Sequence, residues 1–151
     1  WVATQTRIEL VLWKGHCEVH ERFTGAEIQA LRVSDPGVFV LAHPECPPDV
    51  LAAADYVGST AGMIREGGAS GARRVVMITE CSMSDNVATA HPGIEFVRPC
   101  NLCPHMKRIS LPKILRSLET LEHRVEVAEE IAIRARSAVE RMLEVARGAK
   151  R

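Results

Sequence analysis

The stretch Arg74-Val75-Val76-Met77-Ile78-Thr79-Glu80 decides how this chain folds. Its run of β-branched and other apolar residues predicts a buried strand, and the polar pair at its end closes that strand. Segments of the same kind lie on both sides of it, and a short helix is predicted between successive strands. Strands that alternate with helices in this way are typical of a parallel sheet with right-handed crossovers. The sequence therefore predicts an α/β fold.

Turn and capping signals place the neighbouring elements. Thr24-Gly25-Ala26-Glu27 has the spacing of a capping box, which predicts a helix over 25–32. Ser59 and Thr60 occupy the position of a helix N-cap, and that helix should continue to about Gly67. Further strands are predicted over 8–13, 38–41, 56–58 and 94–97, and further short helices over 49–54 and from Ser84.

The last third of the chain has a different pattern. Ser110-Leu111-Pro112 predicts the start of one helix, and a second helix is predicted over 122–146. Apolar residues recur there at helical spacing, which predicts a packing face against the sheet domain or against another subunit. The stripe consists of Val125, Ala128, Ile131, Ala135, Ala138, Met142 and Val145.

Composition limits the function classes. Lys and Arg together number 19, as do Asp and Glu, so the net charge of zero predicts no polyanion-binding stripe. Aromatic residues are only 4%, which argues against a base-stacking surface, and the apolar runs are too short to span a bilayer. The odd count of five cysteines fits reduced thiols or metal ligands better than a secreted disulfide framework. Because Trp1-Val2-Ala3-Thr4 carries no initiator methionine, we expect further sequence before it.

Polar clusters follow four of the predicted strands. The carboxyl ends of parallel strands meet at one edge of a sheet, so these clusters should lie together. Taken singly, a histidine after a strand is more often a hydrogen-bonded structural residue than a ligand. The clusters are Cys17 with His20, His43 with Glu45, Ser59 with Thr60, and Cys103 with His105.

The spacing Cys100-x-x-Cys103 leaves two metal chemistries open. Both zinc and iron–sulfur clusters use cysteines at this distance. A zinc site normally has a second matched pair, and Cys17-x-x-His20 could supply it. The chain carries no Walker loop, no dinucleotide fingerprint and no nucleophile elbow, so nucleotide binding and serine hydrolase chemistry are not indicated.

Five motifs together resemble the quinolinate synthase family. They occur in the family's order and close to its spacing, and they run through the whole chain while covering only the later half of the family's usual length. The motifs are Trp13-Lys14-Gly15-His16-Cys17-Glu18-Val19-His20, His43-Pro44-Glu45-Cys46-Pro47, Ala54-Asp55-Tyr56-Val57-Gly58-Ser59-Thr60, Thr79-Glu80 and Cys103-Pro104-His105-Met106.

The resemblance implies a particular architecture. Three similar domains, each an αβα sandwich around a parallel sheet, surround a pseudo-threefold axis with a [4Fe–4S] cluster near it. Residues 1–17 would end a preceding α/β domain, 18–103 would form one repeat, and 104–151 a C-terminal helical tail. By motif, Cys17 resembles the second cluster ligand and Cys103 the third, whereas Cys46, Cys81 and Cys100 match no ligand position. The first ligand would belong to an earlier domain.

The resemblance also implies an activity. The family, transferases of cytoplasmic NAD biosynthesis, condenses iminoaspartate with dihydroxyacetone phosphate to give quinolinate, and the cluster acts as a Lewis acid in dehydration. L-aspartate oxidase would supply the iminoaspartate, and neither nucleic acid nor membrane is an expected partner. The implied catalytic residues are His43 and Glu45. The implied substrate-binding residues are His20, His43, Pro44, Glu45, Ser59 and Thr60.

The chain by itself should fold at least in part but should make no quinolinate, since one thiolate and part of the substrate site would be missing. The competing hypothesis is a zinc-binding or purely structural α/β module without catalytic activity, in which Cys17, His20, Cys100 and Cys103 are metal ligands or core residues.

Overall fold

The strand predicted at 74–78 lies inside a parallel sheet. The computed structural model describes residues 1–97, 99 and 101–148, and within them the sheet has four strands in the order β2-β1-β3-β4, all parallel. Ala42 pairs with Ile78, so the two central strands end level with each other. The strands are β1 Phe39–Ala42, β2 Tyr56–Val57, β3 Arg74–Ile78 and β4 Glu95–Val97.

Helices alternate with these strands as predicted. The helices are α1 Val2–Gln5, α2 Gly25–Ser34, α3 Pro48–Ala53, α4 Thr60–Ala69, α5 Ser82–Ala90, α6 Leu111–Thr120 and α7 Glu129–Gly148, and single 3₁₀ turns occupy His20–Arg22 and Met106–Arg108. The chain divides into two compact units, Trp1–Arg108 and Ile109–Arg151. The finer division expected at residues 17/18 and 103/104 stays a prediction.

Both faces of the sheet are covered, because successive side chains of a strand point to opposite sides. On one face Val40 and Ile78 are buried in a cluster with residues of α2 and α3. On the other face Leu41 and Met77 are buried with Met63 of α4 and with residues of α5. The predicted αβα sandwich is therefore confirmed.

Two predicted helix starts, those of α2 and α4, are confirmed in atomic detail, whereas the helix predicted from Ser84 begins at Ser82. The Glu27 backbone N–H donates to Thr24 Oγ1 over 3.3 Å, and the Thr24 N–H donates to Glu27 Oε2 over 2.8 Å, which completes the capping box. Ser59 Oγ accepts the Gly62 N–H over 3.2 Å at the start of α4. These local hydrogen bonds set where α2 and α4 begin, and therefore where the preceding loops end.

The strand predicted over 8–13 is wrong. This segment is irregular, and the side chains of Ile8 and Trp13 are 74% and 92% exposed. An apolar, β-prone segment becomes a strand only when a neighbouring strand accepts its backbone hydrogen bonds and a core covers one face. Among the described residues, no strand pairs with it.

The second unit contains the two predicted tail helices. Ser110 is the N-cap of α6, as predicted. The second helix begins at Glu129 rather than near 122. Leu121 and His123 have φ values of 52° and 61°, so a right-handed helix cannot pass through these two positions. Among the described residues of α6 and α7 none is buried, so the role of their apolar stripe as a packing face stays a prediction. None of the helices in the described part of the chain combines the length and apolar character that crossing a bilayer requires.

Candidate active site and metal centre

The strand order creates a crevice between β1 and β3. After β1 the chain turns to one side to form β2, and it then crosses back to form β3 on the other side. Open α/β sheets bind their ligands at such a reversal, outside the carboxyl ends of the strands. His43 follows β1, Thr79 and Glu80 follow β3, and the His43 N–H donates to the Ile78 carbonyl over 3.3 Å. The polar residues after both strands therefore lie side by side.

His20 is the centre of this polar group. The loop before α2 delivers it into the crevice, where the residue is only 6% exposed. Its Nδ1 lies 2.9 Å from Glu45 Oε2 and its Nε2 lies 3.0 Å from Thr79 Oγ1. Because a carboxylate only accepts hydrogen bonds, these partners assign the proton to Nδ1. His20 therefore joins the loop after β1 to the end of β3.

His43 stacks on His20 and is uncharged near neutral pH. The two ring centroids are 4.5 Å apart with an angle of 10° between the planes. Burial lowers the pKa of His43 below its usual value, the neighbouring His20 lowers it further, and Glu45 opposes both effects only in part. The Glu45 N–H donates to His43 Nδ1 over 3.4 Å, which assigns the remaining ring proton to Nε2. The approach of 3.5 Å between His43 Nδ1 and Glu45 Oε2 is therefore not an ion pair.

Cys17 and Cys103 line one cavity of about 280 Å³. Both are free, partly buried thiols, and both pack against the same face of the core. Val19, Met83 and Met106 give much of the cavity wall an apolar character. The structure thus brings together the two cysteines that the family resemblance assigns as ligands, in surroundings that could shield a cluster from water.

The other cysteines are placed differently. Cys46 is 5% exposed, and its Sγ lies 3.5 Å from the Ile78 carbonyl oxygen. Burial, together with the nearby Cys17 and Glu45, raises the pKa of the Cys46 thiol to about 12 against the opposing effect of a hydrogen bond from His43. Cys46 is therefore a neutral core thiol. Cys81 is not among the free thiols, and Cys100 lies outside the described residues.

A mixed set of ligand atoms also meets beside the cavity. One ligand atom each from Cys17, His20 and Glu45 lie within 4.8 Å of one another, in the part of the chain that the structure describes. Sulfur, nitrogen and oxygen donors of this kind suit zinc. Both ring nitrogens of His20 already have hydrogen-bond partners, so metal binding there would displace either Glu45 or Thr79.

The remaining predicted residues lie around the same edge. Thr60 lines the cavity at the first turn of α4, beside the capping residue Ser59. Pro44 lies in the turn that the Cys46 N–H closes on the His43 carbonyl. His105 Nε2 lies 3.1 Å from Glu18 Oε1, outside the contacts of His20.

Thr79 and Glu80 are functional candidates to which the sequence analysis assigned no role. Thr79 is 4% exposed and holds His20, and both residues line the cavity. Their position directly after the most buried strand was the signal that could have identified them, since that position lies at the reversal of strand order.

The fold and this site together define the class of protein. It is an αβα domain that gathers thiols, imidazoles and a carboxylate at the carboxyl ends of its central parallel strands. A sequence model of the family described as "Quinolinate synthetase A protein" matches residues 1–144, so the chain belongs to the quinolinate synthase family.

Curated relatives agree with this assignment. Quinolinate synthase 2 of Mesorhizobium japonicum is 62% identical over 144 residues, which are 95% of this chain and 44% of that protein. The quinolinate synthases of Agrobacterium fabrum and Xylella fastidiosa are 60% and 56% identical, each over 95% of this chain and 42% of the relative. The chain therefore spans less than half the length of the curated relatives it matches.

Proposed function

We propose that this chain forms part of a quinolinate synthase, a transferase that condenses iminoaspartate with dihydroxyacetone phosphate to quinolinate in cytoplasmic NAD biosynthesis. One observation carries the proposal: Cys17, His20, Thr60 and Cys103 line a single cavity although they lie far apart in the chain. Glu45 is joined to that cavity through its hydrogen bond with His20. In this scheme L-aspartate oxidase would supply the iminoaspartate.

The cavity fits the family's [4Fe–4S] cluster in part. Two free thiols share an apolar-walled cavity, which matches the thiolate donors and low polarity that such clusters use. Cys17 and Cys103 would each hold one iron, and a third thiolate would have to come from outside the described residues, because Cys46 remains a buried neutral thiol and Cys81 is not a free thiol. When bound, a cluster with three protein ligands supplies a Lewis-acidic iron with an open position for substrate oxygen.

Glu45 is suited to move a proton. His20 Nδ1–H donates to its Oε2 and orients the carboxylate, while the Glu45 side chain remains 57% exposed and so open to a substrate. We assign the proton transfer to Oε1. General base catalysis by a positioned carboxylate is worth about 10²–10⁴-fold in rate.

His43 would hold a substrate oxygen or nitrogen by hydrogen bonding. Its ring is neutral and its proton lies on Nε2, so it donates one hydrogen bond without adding a charge beside His20. The stack on His20 restrains the ring plane. The backbone N–H groups at the start of α4, with Ser59 and Thr60, would bind a carboxylate or phosphate group, and Pro44 would shape the turn after β1.

The zinc module remains the second candidate function, and the close approach of Cys17, His20 and Glu45 is the observation that favours it. A zinc ion there would bind the Glu45 carboxylate, which the synthase hypothesis requires to be free for proton transfer. The two functions therefore predict different metals and different activities for the same residues.

The test compares the chain alone with a chimera in which it replaces the matching part of the Agrobacterium fabrum relative. Both are reconstituted with iron and sulfide without oxygen, and then supplied with iminoaspartate and dihydroxyacetone phosphate. We expect a brown chimera that makes quinolinate and a chain that makes none by itself. Cys17→Ser and Cys103→Ser should each abolish product in the chimera, whereas the matched control Cys46→Ala should retain it. A colourless chimera with one zinc per chain and no product would favour the module.

A further inference from the structure

The loop that carries Cys103 is fastened to the end of β3. Glu80 forms an isolated parallel bridge with Asn101, and the Cys81 N–H donates to the Asn101 carbonyl over 3.2 Å. Two residues further on, the loop reaches Cys103, whose carbonyl oxygen accepts the Lys107 N–H over 3.1 Å. The pairing with Asn101 therefore extends the sheet beyond β4. The backbone from Cys103 to Lys107 then forms a tight turn.

The Glu80 side chain adds further contacts that hold this loop to the end of β3. Its carboxylate, 13% exposed, accepts the Ser82 N–H at Oε2 over 2.8 Å and lies 3.5 Å from the Cys103 backbone nitrogen at Oε1. Lys107 Nζ lies 3.4 Å from the same Oε1 and also contacts the Ser82 hydroxyl. One carboxylate thus links the first turn of α5 to both ends of the Cys103 turn.

Lys107 offsets the negative charge that Glu80 brings close to Cys103. A carboxylate beside a cysteine disfavours the thiolate, because two negative charges then share a region of low polarity. The Lys107 ammonium offsets the charge of Glu80 while it bonds to it. Although partial burial would raise the pKa of Glu80, the bonds from Ser82, Lys107 and Cys103 lower it overall, so the carboxylate is ionised at neutral pH.

We propose that Glu80 and Lys107 are positioning residues: together they clamp the 101–108 turn against β3 and so set where the Cys103 sulfur enters the cavity. This inference rests on the proposed function, because the clamp would support Cys103 as one ligand of the cluster. The clamp itself is a property of the folded chain without metal or substrate, and it can be measured as such.

The first measurement is the rate at which iodoacetamide alkylates Cys103 in the reduced, metal-free chain of 151 residues, resolved by peptide mass spectrometry. In Glu80→Gln the amide no longer pairs with the ammonium, and the turn opens more often. We expect Cys103 to be alkylated roughly tenfold faster, as the loss of charge-assisted hydrogen bonds implies. Trypsin should also cleave after Arg108 sooner than in the unsubstituted chain.

The second variant, Lys107→Gln, separates the clamp from a simple field effect. Removing the ammonium alone leaves the Glu80 charge beside the thiol, so a pure field effect would make alkylation of Cys103 slower. The clamp predicts faster alkylation, because the turn is released in this variant too. Slower alkylation in Lys107→Gln would overturn the proposal.

Glu27→Gln is the matched control, because the Glu27 carboxylate also secures a helix start but forms its hydrogen bonds with Thr24, in the capping box of α2. If Glu80 only caps α5, both glutamate variants should lower the melting temperature and leave alkylation of Cys103 unchanged, which also contradicts the proposal. In the chimera, Glu80→Gln should lower the cluster absorbance per chain, a readout that does not depend on quinolinate. If the chimera makes no quinolinate but the variants change the alkylation of Cys103 as the clamp predicts, the result contradicts the proposed function and not the clamp.

Discussion

The two edges of the sheet use polar residues in different ways. At the amino-terminal edge, Arg74 at the start of β3 forms ion pairs of 2.6 Å with Asp35 and 3.2 Å with Glu95. At the carboxyl-terminal edge, buried His20 links Glu45 to Thr79 by hydrogen bonds from two ring nitrogens. Opposite charges neutralise each other at the first edge, whereas the second edge holds the neutral ring of His43 and, lining a cavity, the free thiols of Cys17 and Cys103. The second arrangement leaves the exposed Glu45 carboxylate and two free thiols, groups that can transfer protons or bind a metal.

The largest expected effect concerns the carboxylate of the carboxyl-terminal edge. In the chimera with the Agrobacterium fabrum relative, Glu45→Gln should lower turnover by about 10²–10⁴-fold, because the amide keeps the shape but cannot accept a proton. The rate of quinolinate formation and the cluster spectrum are measured together, and the spectrum should not change. Glu95→Gln at the opposite edge is the matched control and should keep normal turnover. Near-normal turnover in Glu45→Gln would show that Glu45 has no catalytic role.

The next effect is on stability. His20→Ala should lower the free energy of unfolding by about 2–3 kcal/mol, because it deletes a buried ring and leaves the Thr79 hydroxyl without its partner. Urea unfolding of the chain measures this change. His16→Ala is the control, since the His16 side chain is 64% exposed and should cost little. Equal costs for the two variants would mean that His20 does not hold the edge together.

The pH dependence of stability tests the neutral state of His43. Its pKa in the folded chain is lowered, so below about pH 6.5 the unfolded chain binds a proton that the folded chain does not. The stabilising contribution is therefore complete above that pH and is lost as the pH falls towards the lowered pKa. His43→Gln should make the decline in unfolding free energy between about pH 6.5 and 5 shallower, by at most about 1.4 kcal/mol per pH unit. An unchanged slope would contradict a neutral His43.

The smallest effect is expected at the amino-terminal edge. Arg74→Met should cost less than about 1 kcal/mol, because its side chain is 42% exposed and water screens its ion pairs. Urea unfolding at low and high salt measures the loss, which should shrink as salt is added. A cost above that of His20→Ala would reverse the contrast between the two edges.

Local chemistry explains what could be predicted about the fold. The capping box at Thr24, the N-cap at Ser59 and the apolar run at 74–78 each specify an element through residues within a few positions of one another. The segment over 8–13 shows the limit of this reasoning. Its β-prone pattern predicts a strand, but a strand needs a hydrogen-bonding neighbour, and no described strand accepts it.

The residue types of the candidate site and their edge of the sheet could be predicted from the sequence, but the contacts between the side chains could not. The positions of His43, Glu45 and Cys103 after predicted strands indicated one edge of the sheet, because parallel strands all end there. For Cys17 this reasoning had no basis, since the strand predicted before it, over the described residues 8–13, does not form. The position of Thr79 and Glu80 directly after β3 could have marked them as candidates, but their contacts did not follow from the sequence, since the partners are brought by other loops. The hydrogen bond between His20 and Thr79 joins residues 59 positions apart.

The sequence by itself determined the alternation of strands and helices, the helix caps and the family, because these depend on residue order and short-range hydrogen bonds. Only the tertiary structure decided that His20 is buried between Glu45 and Thr79, that His43 is neutral, and that Cys46 keeps its proton while Cys17 and Cys103 share a cavity. The physical reason is that burial and neighbouring charges set the protonation and hydrogen bonding of a side chain, and both come from residues distant in the chain.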